Sequence, residues 1–296
     1  MRLVTFEDEA AGRRIGVHAD DGALVDLAAA APDLPRDMLA LIRLGAEGLG
    51  RVRAAIDSGL GRAASGRRRL VAPIPRPARN VFCVGKNYHE HAREFHGSGF
   101  DASAGGQAIP DVPIVFTKPS SCVIGPDEAI PAHLDPTHSV DYEGELTVVI
   151  GEGGRGISAG DAYRHVYGYT LINDVTARTL QHRHKQWFLG KSIDGFCPMG
   201  PALLTADAIA DVTALRLETR VNGELRQSAT VSQLIFDIPT LIETISAGIT
   251  LEPGDLIATG TPAGVGIGFD PPRYLQAGDR VDITMEPIGT LSNPVR

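Results

Sequence analysis

The sequence predicts an α+β protein in which strands dominate and helices are few. Two observations carry this expectation. From Asn80 onward, short β-like runs alternate with Gly and Pro turns, and the turns at Pro253-Gly-Asp255 and Ala277-Gly-Asp279 each precede a strand. Before residue 80 the pattern changes to a hairpin-like start followed by one helical segment.

Residues 1 to about 27 read as a small hairpin, with Leu3 to Phe6 and Arg14 to His18 flanking polar turns and Asp20-Asp21-Gly22 preceding Ala23 to Leu27. A helix follows over roughly Pro35 to Ser58. The basic run Arg67 to Arg69 and the punctuated stretch Pro73 to Pro77 cannot form one regular element, so a boundary falls there. The basic run reads as a solvated linker face. The expected units are a small N-terminal domain, residues 1–75, and a second domain, residues 79–296. Val81 to Gly85 is an apolar strand that turns into a helix carrying His89 to Phe95. The long Gly-rich stretch from His96 to Pro113 fits either a lid or a tolerated surface insertion. Ser139 to Gly151 is a strand on which Glu143 and Glu145 share one face while Tyr142, Leu146, Val148 and Ile150 line the other. Val166 to Ile172 is another, ending at Asn173-Asp174, and Ile257 leads into a Gly-rich turn through Gly268.

Composition excludes several classes. With 43% hydrophobic and 22% charged residues in 296, the chain is ordinary globular material. A net charge of −8 argues against a general nucleic-acid surface, which relies on clustered Lys and Arg. Cys83, Cys122 and Cys197 are odd in number and lack CxxC spacing, which indicates neither a disulfide framework nor a zinc site and makes a reducing cytoplasm the simplest compartment. No stretch approaches the ~20 apolar residues of a membrane span.

Four constellations carry chemistry. Glu143, Glu145 and Asp174 form an acid trio with neither Cys nor His beside it, a donor set suited to a hard cation such as Mg²⁺ or Mn²⁺. The same acids fit a solvated strand face, and Asp174 fits a helix cap. His91 and Glu94 stand three apart on the expected helix, so the carboxylate can orient an imidazole whose ordinary pKa of ~6.5 suits proton transfer from water. A surface pair is the alternative, and His89 and Glu90 compete for the role. Lys191, close after the single Trp, can bind a carboxylate or steady an enolate, or can snorkel at the surface. The turn after Ile257 offers backbone amides to an anion, with Thr261 as the side chain best placed for a substrate carboxylate. It lacks the Gly-Lys-Ser/Thr of a P-loop and opens no helix.

Together these segments resemble the fumarylacetoacetate hydrolase family over roughly Asn80 to Val295. The family's metal-binding glutamate pair and later aspartate fall on Glu143, Glu145 and Asp174. Its lid-borne histidine and glutamate fall on His91 and Glu94, and its substrate-side glutamine and lysine on Gln181 and Lys191. Its Thr-Gly-Thr-Pro-x-Gly-Val-Gly turn matches Thr259 to Gly266, and the block Asn173 to Arg178 is characteristic. Thr179 departs from the pattern, because many members carry aspartate there.

The resemblance implies a β-rich mixed sheet rolled on itself with flanking helices, assembled as a homodimer, and the residues before it add a small N-terminal α/β domain. It implies a metal-dependent hydrolase of acylpyruvate or related diketo acids. His91, oriented by Glu94, would activate water for attack on the distal carbonyl, and carbon–carbon cleavage would leave a pyruvate enolate. Lys191 would steady the anion, while Thr261 and Gln181 orient substrate. The rival readings are decarboxylation of oxaloacetate-type 2-oxo acids, isomerisation of unsaturated dicarboxylic acids such as 2-hydroxyhepta-2,4-diene-1,7-dioate, and non-catalytic dicarboxylate binding.

Overall fold

Seventeen strands and seven α-helices organise the described part of the chain; the computed structural model describes residues 1–9, 11–19, 23–61, 68–101 and 107–296. β1 (Arg2–Asp8), β2 (Gly12–His18) and β3 (Leu24–Asp26) form an antiparallel meander, as the alternation of apolar and polar residues predicts. The turn at Asp20 to Gly22 lies outside the described residues. α1 (Leu27–Ala30) follows. The helix expected over 35–58 is two: α2 (Met38–Arg43), capped by the Asp37 carboxylate, and α3 (Gly45–Asp57). The break sits at Gly45, whose φ of +54° takes the backbone out of the right-handed helical region.

The basic run is a correction. Arg67 lies outside the described residues, but Arg68 and Arg69 belong to β4 (Arg68–Val71), which pairs with β1. The register sets Asp8 opposite Arg68 and Glu7 opposite Arg69, and both pairs close as ion pairs, at 3.4 and 2.7 Å. Complementary charge across strands, not linker character, explains the arginines.

β5 (Val81–Gly85), α4 (His89–Gly97), β6 (Ile114–Lys118) and β7 (Val123–Ile124) come next. The strand expected over 139–151 is interrupted: β8 (Val140–Asp141) and β9 (Gly144–Ile150) are separate, and every residue of β9 is buried. The chain continues through β10 (Val166–Asn173), β11 (Thr176–Ala177), α5 (Arg178–His184), α6 (Phe188–Lys191), β12 (Cys197–Thr205), β13 (Arg216–Val221) and β14 (Glu224–Thr230). It ends with α7 (Ile238–Ser246), β15 (Leu256–Ala258), β16 (Arg280–Met285) and β17 (Gly289–Pro294).

The main sheet has 11 strands, with the path β3-β2-β1-β12-β10-β9-β15-β5-β6, while β4 pairs with β1 and β7 with β12. It is mixed: β15 runs parallel to β5 and β12 parallel to β7, and the other pairs are antiparallel. A second sheet, β14-β13-β16-β17, packs on it, so Leu146 and Leu171 of the large sheet share one core with Leu217, Ile283 and Leu291 of the small one. β9 is covered on both faces: Leu146, Val148 and Ile150 lie in the core shared with the small sheet and Val149 in a second core with Leu41 and Val52 of the N-terminal helices, which is why a strand that reads as half-polar is buried throughout. The N-terminal meander joins through β1 against β12, with Leu3 opposite Leu203. Among the described residues, no helix is long and apolar enough to cross a membrane.

Candidate active site

The acids meet where β9 begins and β10 ends. Antiparallel pairing sets Ile172 opposite Glu145 and Asn173 opposite Gly144, which brings Asp174 alongside both glutamates. Two further bonds fix the junction: Glu143 N–H donates to Asn173 Oδ1 at 2.9 Å and Asp174 N–H donates to Glu143 O at 2.8 Å. Glu143, Glu145 and Asp174 are all buried, and each offers a carboxylate oxygen within 4.8 Å of the others. Asp174 is no helix cap, since α5 starts at Arg178 with Ala177 before it.

Buried acids this close need positive charge. Lys191 Nζ donates to Glu143 Oε2 at 2.6 Å and to Asp174 Oδ2 at 2.8 Å. Arg178 Nη1 stands 2.6 Å from Glu143 Oε1 while its Nε donates to Asp141 Oδ2 at 2.8 Å. Lys118 Nζ lies 2.7 Å from Asp174 Oδ1 and also donates to the Val175 and Lys191 carbonyls. Burial pushes the Glu143 carboxyl up, but Lys191 and Arg178 outweigh it and hold the group below the usual range. Glu145 goes the other way: burial, then the charges of Asp174 and Glu143, push its carboxyl well up, and Gly260 N–H at 2.9 Å offsets only part.

That imbalance is a test of whether the trio suits a metal. Three oxygen donors converge, and one carboxyl is destabilised as an anion by its neighbours, so a hard divalent cation among them would relieve the repulsion. The donor set fits. Lys191 and Lys118 supply part of the compensating charge from the protein itself.

The dyad is built on α4. His91 is buried, and its Nδ1 lies 3.1 Å from Glu94 Oε2, the contact that spacing of three on a helix predicts. His89 and Glu90 face solvent, which removes them as competitors. The turn entering α4 is clamped by Asn87, whose Nδ2 donates to the Thr259 and Phe236 carbonyls at 2.7 and 3.0 Å. Glu94 is fixed from behind: Gly264 N–H donates to its Oε1 at 3.0 Å, and a Cβ on Gly268 would fall 2.0 Å from that oxygen. Only glycine leaves room for the carboxylate.

The Gly-rich turn therefore differs from expectation. Its amides do face anions, but these are the protein's own carboxylates: Gly260 for Glu145, Gly264 for Glu94, and Gly266 and Ile267 for Asp141 at 2.6 and 3.0 Å. The Thr261 hydroxyl is also engaged within the protein. It donates to Gly144 O at 3.0 Å and accepts from Gln227 Nε2 at 2.8 Å. Gln181 accepts from Arg178 Nη1 at 3.2 Å.

The structure brings His91, Lys191, Gln181, Thr261, Glu143 and Glu145 to the lining of one cavity of about 20 Å³, closed by Phe95, Phe116 and Trp187. Asp174 backs it through Lys191, and Glu94 through His91. Residues 102–106 of the expected lid lie outside the described residues. On either side of them, Asp101 Oδ2 and Gln107 O accept from Lys86 Nζ at 2.8 and 3.1 Å. Sequence reasoning missed the roles of Arg178, Lys118 and Asp141, whose partners lie on distant strands. The signal for Lys118 is a lysine closing the apolar run Ile114 to Phe116.

The family model described as Fumarylacetoacetate (FAA) hydrolase C-terminal matches residues 80–296. The chain is similar to the oxaloacetate tautomerase YisK of Bacillus subtilis (strain 168), 56% identical over 227 residues that span 77% of this chain and 73% of the relative. It is 41% identical over 300 residues to the mitochondrial oxaloacetate tautomerase FAHD2B of Bos taurus, covering 100% of this chain and 91% of that protein. Among solved structures it resembles maleylpyruvate hydrolase from Sphingobium sp. SYK-6 in complex with manganese(II) ion and pyruvate, with TM-score 0.78, 33% identity, and 100% of this chain and 98% of that chain covered.

Proposed function

The chain belongs to the fumarylacetoacetate hydrolase family, and from that premise we propose that it is an oxaloacetate tautomerase, interconverting the enol and keto forms of a 2-oxo dicarboxylic acid. The observation that carries this reading over hydrolysis is the similarity to YisK at 56% identity. Support comes from the site, where a buried imidazole faces the same small cavity as two cationic side chains, Arg178 and Lys191.

The two tautomers differ by one proton, carried on C3 in the keto form and on the C2 oxygen in the enol. Because the Glu94 carboxylate accepts from Nδ1, the neutral His91 tautomer carries its proton there and leaves Nε2 as the base. His91 takes the C3 proton and returns one to the oxygen, so nothing is gained or lost overall. Arg178 and Lys191 hold the carboxylates, and the aromatic walls limit the water that would otherwise compete for the anion. Glu143, Glu145 and Asp174 are the residues that would hold Mg²⁺ or Mn²⁺, and a bound cation supplies Lewis-acid polarisation of the 2-oxo group. On the same reading residues 1–75 are a small N-terminal domain and residues 79–296 the catalytic domain, a division supported by a family match that starts at residue 80.

A second reading, hydrolysis of an acylpyruvate, draws on the same dyad, which can equally orient a water, and on the similarity to maleylpyruvate hydrolase. Ultraviolet absorbance separates the two. Fresh enol-oxaloacetate should lose its absorbance faster with protein and Mg²⁺ than without, while acetylpyruvate and maleylpyruvate persist. Loss of those two substrates with an unaltered oxaloacetate trace would transfer the assignment to hydrolysis.

The metal has its own test. Titrating Mg²⁺ or Mn²⁺ into metal-stripped protein should raise the melting temperature, with a linkage of about 2.7 kcal/mol when the free ion is a hundredfold above Kd. Glu145→Gln should flatten that response. A melting temperature indifferent to both ions in the wild type would remove the metal from the proposal.

A further inference from the structure

The cavity wall that faces the acids is aromatic, and its centre is Trp187. This residue directly precedes α6, and Lys191 N–H donates to its carbonyl at 3.1 Å, so one helical turn joins the indole to the ammonium that bridges Glu143 and Asp174. Trp187 is 8% exposed. Phe95 and Phe116 meet it edge-on, with centroids at 6.1 and 5.3 Å and interplanar angles of 86° and 77°. Gly85, the last residue of β5, lies under the ring so closely that an added Cβ would fall 2.3 Å from Trp187 Cζ3 and 2.8 Å from Cη2. A ring packed on three sides has no free space to retreat into.

Resting on the 2-oxo acid reading above, we propose that Trp187 is the specificity-determining residue of this site and limits its substrates to short 2-oxo acids. The carboxylate and 2-oxo oxygens of such an acid are drawn to the charged end by Arg178 and Lys191. Whatever extends beyond C3 then meets the indole, which lines the same cavity as the two cations and is held in place by Phe95, Phe116 and Gly85. The glycine at position 85 acquires a purpose: it sets the depth at which the indole lies.

The test is a binding ladder, measured by calorimetry on Mg²⁺-saturated protein. The ligands are oxaloacetate and unbranched 2-oxo acids from pyruvate to 2-oxooctanoate. For the wild type, affinity should fall about tenfold or more for each methylene past the limit, within the range for a tight apolar pocket. Trp187→Ala should move the cut-off to longer chains. Gly85→Ala, whose new methyl pushes the indole into the cavity, should move it to shorter ones. Opposite shifts cannot arise from general loss of structure, which would weaken pyruvate along with the rest; if Trp187→Ala fails to fold, Trp187→Leu takes its place. A wild-type ladder without a cut-off, or a cut-off that neither variant moves, overturns the assignment of Trp187 and leaves the 2-oxo acid reading standing. Failure of both oxaloacetate and pyruvate to bind wild-type protein overturns that reading itself, and the assignment with it.

Discussion

Replacing His91 with alanine is expected to lower kcat for oxaloacetate tautomerisation by about 10²- to 10⁴-fold, the span associated with a positioned acid–base group. The effect belongs on kcat because the imidazole moves a proton without carrying the charge that holds the dicarboxylate. Affinity for an unreactive analogue such as oxalate should therefore change little, since Arg178 and Lys191 stay in place. The His91 ring does stack on Phe95 at 6.2 Å, so some stability will be lost with it, and the analogue measurement separates that loss from the chemistry. Glu94→Gln provides the graded comparison: it keeps the volume beneath Gly264 and Gly268 but removes the carboxylate that accepts from His91 Nδ1 and fixes its tautomer. Its kcat should fall between those of the wild type and His91→Ala. Wild-type turnover in His91→Ala would remove His91 from the mechanism, whatever becomes of Glu94.

What the sequence revealed, and what it withheld, follows from the range over which each signal acts. The helix bearing His91 and Glu94 was legible because three-residue spacing is a local property, and the dyad closes at 3.1 Å. Glu143 and Glu145 were legible as a pair for the same reason, but their burial was not: it depends on the small sheet that packs over β9, and nothing in a seven-residue strand announces a second layer. Arg178 is the clearest loss. Its partner Asp141 lies 37 residues away, and Asp141 in turn takes the amide of Gly266 from 125 residues away, so the triangle exists only after the sheet has formed. The Gly-rich turn shows the same limit. Spacing disclosed that its amides would face anions, but only the fold shows that the anions are Glu94, Glu145 and Asp141. Nor could residue types separate hydrolysis from tautomerisation, because a base beside an enolate-stabilising site serves both.

Replacing Arg178 with methionine is expected to destabilise the protein by about 3–5 kcal/mol, the range for removing one partner of a buried ion pair. The guanidinium is 1% exposed and bonds two buried acids at once, Asp141 through Nε and Glu143 through Nη1. Methionine fills much of the volume but leaves the charge of Asp141 against three backbone amides, those of Tyr142, Gly266 and Ile267, with no cation among the described residues in contact. Glu143 is less exposed to the loss because Lys191 still donates to it. The two contributions can be told apart. Adding Asp141→Asn should recover part of the deficit if the unpaired Asp141 charge is its main source, whereas Arg178→Lys should recover little, since an ammonium cannot span both acids as the planar guanidinium does. The pH dependence has a definite sign. Glu143 is held below its ordinary carboxyl value of 4.5 in the folded protein, so the stability it contributes is complete above that value and is lost as pH falls through the depressed one. The gap in unfolding free energy between wild type and Arg178→Met should consequently narrow as the solution is acidified through that window. A gap that stays constant with pH, or a variant as stable as the wild type at neutrality, would mean that the buried acids do not depend on Arg178 for their charge.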